Sequence, residues 1–368
     1  MAGRCPVGQV AANNLSLSSA GMTSGNGWSA SAGYRYLHSD RHYVGTEEQV
    51  ERQNEGSEVI NDLNTLDFGL TYAVNQRLSF TMSLPYVENE RSSPVRRADR
   101  SVAGRSVVQA RGIGDLRLSA NWWLWDPSGH PGAVPSHSSG KGKAPASMDA
   151  LHGRRGNVRI SVGLDIPTGE DDVDDYRSIL SGGNVVTDPV PRIVDQSIQP
   201  GDGGWGVPID LYAYYNFTDR LSGYFQGSYL ITPETKNGVT TGRSNPFEAE
   251  MSIGDTFMVR TGLEYALLPK HGLTVGLGVR SEGQPDHDLF GSSNGFRRPG
   301  MNIAIEPGIM WMKNGWSASL SVPITFYNER FQSVADRQFQ ATSPTTPARH
   351  GDAAFADWYL MFSVGRQF

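Results

Sequence analysis

Along this chain apolar and polar side chains alternate residue by residue in short runs, separated by breaks rich in glycine, proline and asparagine. Such a period of two marks a strand with one apolar and one polar face. The clearest run is 77–87, where Leu78, Phe80, Met82, Leu84 and Tyr86 alternate with Arg77, Ser79, Thr81 and Ser83. The preceding run, 63–74, sets Leu66, Phe68, Leu70, Tyr72 and Val74 against Asp67, Gly69 and Thr71. Only Asn75-Gln76 separates the two, which predicts a hairpin. The final run, 356–368, puts Trp358, Leu360, Phe362, Val364 and Arg366 on one face and Tyr359, Ser363, Gly365 and Gln367 on the other. The same pattern predicts strands at 27–38, 113–124, 156–166, 205–217, 220–232, 250–267, 273–280, 300–312 and 316–327, twelve in all.

The connections sort into two kinds. Alternate ones are the turns 75–76, 218–219, 268–271 and 313–314, all short, and the stretch 125–155. The others, 39–62, 88–112, 168–204, 234–249, 284–298 and 328–354, are all long. An even strand count with short turns at one end and long loops at the other predicts an all-β fold, a transmembrane antiparallel β-barrel of the outer-membrane type. Residues 27–368 form the barrel on this reading, 1–26 a polar tail or a plug in the lumen, and 126–155 a low-complexity insertion. Trp28, Trp122, Trp123, Trp125, Trp311 and Trp316 fall at predicted inner strand ends, and Trp205 and Trp358 near outer ones. Amphipathic rings settle at lipid–water boundaries, so these tryptophans predict two girdles.

Composition changes the picture little. A mean hydropathy of −0.40 would by itself suggest a water-soluble chain. Barrel strands, however, never need the roughly 18 consecutive apolar residues of a membrane helix. A net charge of −6 leaves no basic footprint for nucleic acid. The single Cys5 excludes an intrachain disulfide, and Arg4 before it argues against lipid attachment. The start lacks a signal-peptide pattern and is read as a mature sequence behind a start Met.

The inward positions carry the candidate chemistry. Arg35, Arg77, Arg117, Arg159, Arg260 and Arg280 face Asp67, Asp115, Asp165, Asp210, Glu264, Glu306 and Asp357. Lumen charges of both signs either pair into a rigid filling or line a weakly selective, water-filled pore. The run Asp171, Asp172, Asp174 and Asp175 is a candidate for a hard cation or a solvated loop, without the glycine and terminal glutamate of an EF-hand. His137 and Ser139 have the spacing of a barrel phospholipase pair but lie in the insertion, and His130, His137 and His152 are too loosely spaced for zinc. No catalytic residue and no cofactor is expected.

Two resemblances add to this. A strand that ends the chain on an aromatic residue, Phe368, resembles the closing strand and assembly signal of bacterial outer-membrane barrels, which implies barrel-assembly machinery, outer-membrane lipid and lipopolysaccharide as partners. Gly112-Ile-Gly-Asp-Leu-Arg-Leu-Ser-Ala-Asn, Val162-Gly-Leu-Asp-Ile-Pro-Thr-Gly-Glu, Gln199-Pro-Gly-Asp-Gly-Gly-Trp-Gly, Ile253-Gly-Asp-Thr-Phe and Thr261-Gly-Leu-Glu-Tyr follow in order. Together they resemble a family of outer-membrane barrels described as transporters of the meta-pathway of phenol degradation. The resemblance spans roughly residues 60 to 368 and rests on turn-and-strand patterning. It implies an outer-membrane barrel and uptake of small, aromatic or hydrophobic molecules, and the strand pattern beside it is read as a monomeric, passive channel. The insertion and the N-terminus depart from the family pattern. Two rivals stand beside this reading: a closed structural or partner-binding barrel, and a lipid hydrolase built on Ser139.

Overall fold

The computed structural model describes residues 27–125, 155–345 and 348–368. The expectations placed on 1–26 and 126–154, with Cys5, His130, His137, Ser139 and His152, lie outside them. Twelve antiparallel staves close into a barrel. They are β1 (Gly27–Ser39), β2 (Ile60–Ala73), β3 (Leu78–Arg96), β4 (Val102–Ile113 and Leu116–Trp123), β5 (Gly156–Ile166) and β6 (Val207–Asn216). The second half comprises β7 (Leu221–Ile231), β8 (Thr256–Leu268), β9 (Leu273–Gln284), β10 (Gly300–Lys313), β11 (Trp316–Ser321 and Ile324–Arg330) and β12 (Tyr359–Gln367). Each stave pairs with its sequence neighbour, and β1 closes on β12 from Ser29↔Gln367 to Leu37↔Tyr359. Closure leaves no sheet edge for another chain to extend.

The alternation decides which side faces out. Leu66, Phe68, Phe80, Met82, Leu118, Ile160, Val162, Leu277 and Phe362 are exposed on the outer surface. Asp67, Ser83, Arg117, Ser119, Ser161 and Ser363, one position away, are buried inside. Trp28, Trp122, Trp125, Trp205, Trp311, Trp316 and Trp358 are exposed as the girdle requires. Trp123 is not: at 4% exposure it faces the lumen, as its parity with Asn121 dictates.

The inner turns are tight for local reasons. The Asn75 side chain accepts from the Arg77 and Leu78 amides at 2.8 and 2.9 Å, and Thr218 does the same for Arg220 and Leu221. Asn314 and Gly315 take φ of 53° and 77°, the left-handed pair that a two-residue hairpin turn wants.

Three boundaries differ from the sequence pattern. The expected outer loop 88–112 is instead a hairpin in which the upper halves of β3 and β4 pair from Tyr86↔Ile113 to Arg96↔Val102. Strand β8 begins at Thr256, because 250–252 pairs with the outer loop rather than with the barrel. Strand β11 is interrupted at Val322-Pro323, beside Pro307 of β10, where two prolines remove ladder donors.

Above the outer rim, 167–206 folds inward, and the nine-residue helix α1 (Val334–Thr342) lies in the last loop. Ser333 caps α1 by accepting from the Asp336 amide at 3.0 Å, while Asp336 accepts in return. No helix among the described residues is long and apolar enough to cross a membrane.

Candidate functional site

The lumen is the site that the strand pattern builds, since every stave delivers alternate side chains to it. At its centre Arg117 of β4 makes a two-point bond to Asp165 of β5, Nε–Oδ1 2.6 Å and Nη2–Oδ2 2.7 Å. Across the barrel Arg260 of β8 reaches Glu306 of β10 at 2.8 Å. Arg280 of β9 reaches Glu282 at 2.8 Å and lies 3.6 Å from Glu306. Arg35 donates to Thr65 at 3.0 Å and sits near Asp67, while Asp210 lies near Arg159.

Aromatic rings fill the space between these charges. Arg159 stands 5.6 Å from the rings of both Trp123 and Tyr212, Arg260 5.1 Å from Tyr224, and Arg280 5.8 Å from Tyr359. Guanidinium over an aromatic face is favourable, and more so when both are desolvated. These rings were legible only by parity, for Tyr212, Tyr224 and Trp123 all occupy inward positions of the alternation. Glu264 faces a cavity of about 70 Å³ in the inner half of the lumen, which Arg260, Glu306, Ser319 and Met361 also line.

Three predicted lumen residues sit elsewhere. Arg77 lies in the inner turn, bonds the Trp123 and Leu124 carbonyls and stacks 4.9 Å over outward-facing Trp122. Asp115 occupies the break in β4 and ties loops together, accepting from the Gly169 and Asp202 amides. Asp357 is half exposed at the outer rim, where it pairs with Arg41. The period-two count placed these side chains inward, but the strands end or break at all three, so the count no longer applies.

The acidic run 171–175 does not converge on a cation position. Asp171 accepts from Asn237 and Asp175 from the Gln109 amide. Among the described residues no group of three or more His, Cys, Asp or Glu could hold a metal. Phe368 is 71% exposed at the inner rim, its amide bonded to the Trp28 carbonyl and its ring 5.4 Å from Arg366.

The outer mouth is filled by a segment that the strand pattern left as an outer loop, its last part being the Gln199 motif. From 188 to 204 the chain drops into the barrel, and Ile198, fully buried, packs with Leu37, Leu63, Ala110, Val194, Tyr359 and Met361. Polar bonds hold the segment in place. Asn89 donates to the Ile198 carbonyl, Arg91 to Ser197 and Asn61, and Gln199 bonds both Val173 and Val194. Asp195 receives a two-point bond from Arg298 at 2.8 and 2.7 Å. Burial alone would raise the Asp195 pKa, but Arg298 and Arg91 hold it well below the usual carboxylate range.

Buried ion pairs, stacked guanidiniums and a docked segment together occupy the lumen and its outer mouth. Comparison with known proteins bears on this. No family model matches the sequence and no curated protein matches it. An outer membrane channel from Pseudomonas putida F1 superposes with a TM-score of 0.56 at 12% identity, over 94% of this chain and 96% of that one. The chain has the fold of an outer-membrane β-barrel. Lower superpositions are found with the Pseudomonas putida toluene transporter TodX (TM-score 0.44, 9% identity, 93% of this chain and 90% of that one) and the CymD monoaromatic hydrocarbon channel (0.41, 11%, 100% and 98%).

Proposed function

We propose that this protein is a monomeric outer-membrane channel through which small solutes, aromatic or hydrophobic ones included, pass passively. One observation carries the reading: solvent-open cavities of about 440 and 250 Å³ at the outer mouth lie above the 70 Å³ lumen cavity, with the Ile198 segment between them. That segment is held by one small apolar cluster, side-chain hydrogen bonds, the Asp195–Arg298 pair and backbone bonds to the neighbouring loop, without ladder pairing to a wall strand, an arrangement that opens at lower cost than a wall strand. Below it the charged and aromatic lumen would set which solutes pass. The outer membrane channel of Pseudomonas putida F1, which shares this fold, favours the same class.

A closed structural barrel is the second reading, favoured by the fully buried Arg280–Glu282 and Arg117–Asp165 pairs. Single-channel recording in a planar bilayer separates the two. The channel reading expects a steady current that rises several-fold when residues 189–200 are replaced by a short Gly/Ser linker. Silence from both forms, with the barrel intact by circular dichroism, leaves the closed barrel.

A further inference from the structure

Beside the Ile198 segment, the 250 Å³ cavity is lined by six arginines from separate parts of the chain: Arg52, Arg91, Arg243, Arg298, Arg330 and Arg349. Four carboxylates answer them. Asp195 takes Arg298 and lies 3.5 Å from Arg91, and Asp352 pairs with Arg52. Asp336 lies 3.5 Å from Arg330 and 3.7 Å from Arg349, and Glu248 lies 3.7 Å from both Arg243 and Arg349. The cavity thus holds a surplus of two positive charges inside a chain whose net charge is −6. His42, also in the lining, does not add to it, for burial and then Arg52 push its pKa down to about 3.

The most loosely paired cations sit at one end. Arg243 and Arg349 make only the loose 3.7 Å contacts to carboxylates just given, and more than a third of each side chain is exposed to solvent. The buried Nε atoms of Arg330 and Arg349 have no hydrogen-bond partner. Burial, and then the neighbouring Arg298, lower the Arg243 pKa, the mark of a cation crowded by like charge. Beside the cations lies a smaller apolar surface. Phe296 carries Arg243 at 3.8 Å and Arg298 at 4.5 Å from its ring centre, and Val59, Ala353 and Ala354 share the lining with Asn61, Ser197 and Gly351.

We propose that this cavity is a binding site for a small organic carboxylate, such as a monocyclic aromatic acid, taken up at the outer mouth before it enters the lumen. The carboxylate displaces the loose Glu248 contacts of the Arg243 and Arg349 guanidiniums, whose forked donors match its two oxygens. The hydrocarbon part lies against Val59 and the edge of Phe296. A volume of about 250 Å³ falls below the range of sites for drug-sized ligands, which restricts the occupant to a small molecule. Free phosphate satisfies the cations but leaves the apolar lining unused. This inference rests on the channel reading for its purpose but not for its test.

The test is calorimetric titration of the folded full-length protein in detergent micelles with benzoate, with benzyl alcohol as the neutral analogue, and with inorganic phosphate. The site expects saturable benzoate binding at one equivalent, at least about tenfold tighter than benzyl alcohol or phosphate, and weakened by added salt. Arg243→Gln, a partly exposed change, is expected to weaken benzoate about tenfold, and the Arg243→Gln/Arg349→Gln pair to abolish saturation. Equal affinity for benzoate and benzyl alcohol overturns the proposal. So does phosphate displacing benzoate at equal concentration, or unchanged benzoate binding in the double variant. Because binding is read without a membrane, a silent planar bilayer with intact benzoate binding would remove the channel and keep the site.

Discussion

Arg117 stands among three carboxylates, bonded to Asp165 and flanked by Asp210 and Asp67, with only 3% of its surface exposed. Removing one partner of a buried pair costs about 3–5 kcal/mol because the other charge stays behind without compensation. The surroundings make the two partners unequal. Arg117→Met strands Asp165 and takes from Asp67 and Asp210 one of their two neighbouring cations, and is expected to cost the full ~3–5 kcal/mol, whereas Asp165→Leu leaves Arg117 with two acidic neighbours and should cost less. Denaturant unfolding in vesicles reads both, and equal losses would mean that Asp67 and Asp210 do not share the charge.

His42 makes the residue-scale case for pH. Its Nε2 accepts from the Val59 amide at 2.8 Å and its ring is buried in the outer mouth. Burial first, and Arg52 next, lower its pKa from 6.5 to about 3, so the folded state holds it neutral. Between those values the unfolded chain binds the proton and the folded one does not. The contribution is therefore whole above pH 6.5 and is lost as pH falls towards 3. Hydrogen-exchange protection over residues 41–59, taken relative to the intrinsic rate at each pH, should weaken as pH falls from 6.5 to 4, and His42→Gln should flatten that dependence.

At the scale of elements, the inner hairpins are where single residues decide pairing. Gly272 closes the β8–β9 turn at φ 73°, and a Cβ added there would overlap the Met312 carbonyl oxygen. That oxygen belongs to backbone and cannot swing away. Gly272→Ala therefore carries both left-handed strain and a clash, an expected loss of at least ~2 kcal/mol. An alanine at Gly56, also left-handed but with nothing within 4 Å of its would-be Cβ, should carry the strain alone and cost less. Unfolding midpoints of the two variants check the difference.

These elements also show what the sequence made legible. Wall strands between lipid and lumen must alternate, so Leu78 to Tyr86 could be read at once. The outer hairpin above them packs its inner face on the polar 197–199 segment and not on a regular core, and Glu88, Glu90, Arg91, Pro94 and Arg96 carry no apolar alternation, so the strand looked finished at Val87. Ile198 has no periodic company, and its partners Leu37, Leu63 and Met361 lie far away in the chain. The arginine cavity escapes for the same reason: its cations come from separate loops and strand ends between 52 and 349, so no local spacing joins them.

For the whole molecule the decisive feature is an outward band of apolar side chains between two tryptophan girdles, wrapped around a polar interior. Depth in that band should set the cost of a charge. Phe68 is 51% exposed on the outer face and pairs with Ala32 and Leu84 in mid-strand, while Trp28 is 50% exposed at the inner end of β1. The two are therefore almost equally accessible, and a protein standing in water would tolerate arginine at either position about equally well. In a bilayer Phe68→Arg is expected to cost about 2–4 kcal/mol and Trp28→Arg about 0–1 kcal/mol beyond the lost ring contact with Tyr72. Unfolding both variants in lipid vesicles and again in detergent reads the difference. A depth effect confined to vesicles would establish the membrane as the solvent for this surface, and equal costs in lipid would take it away.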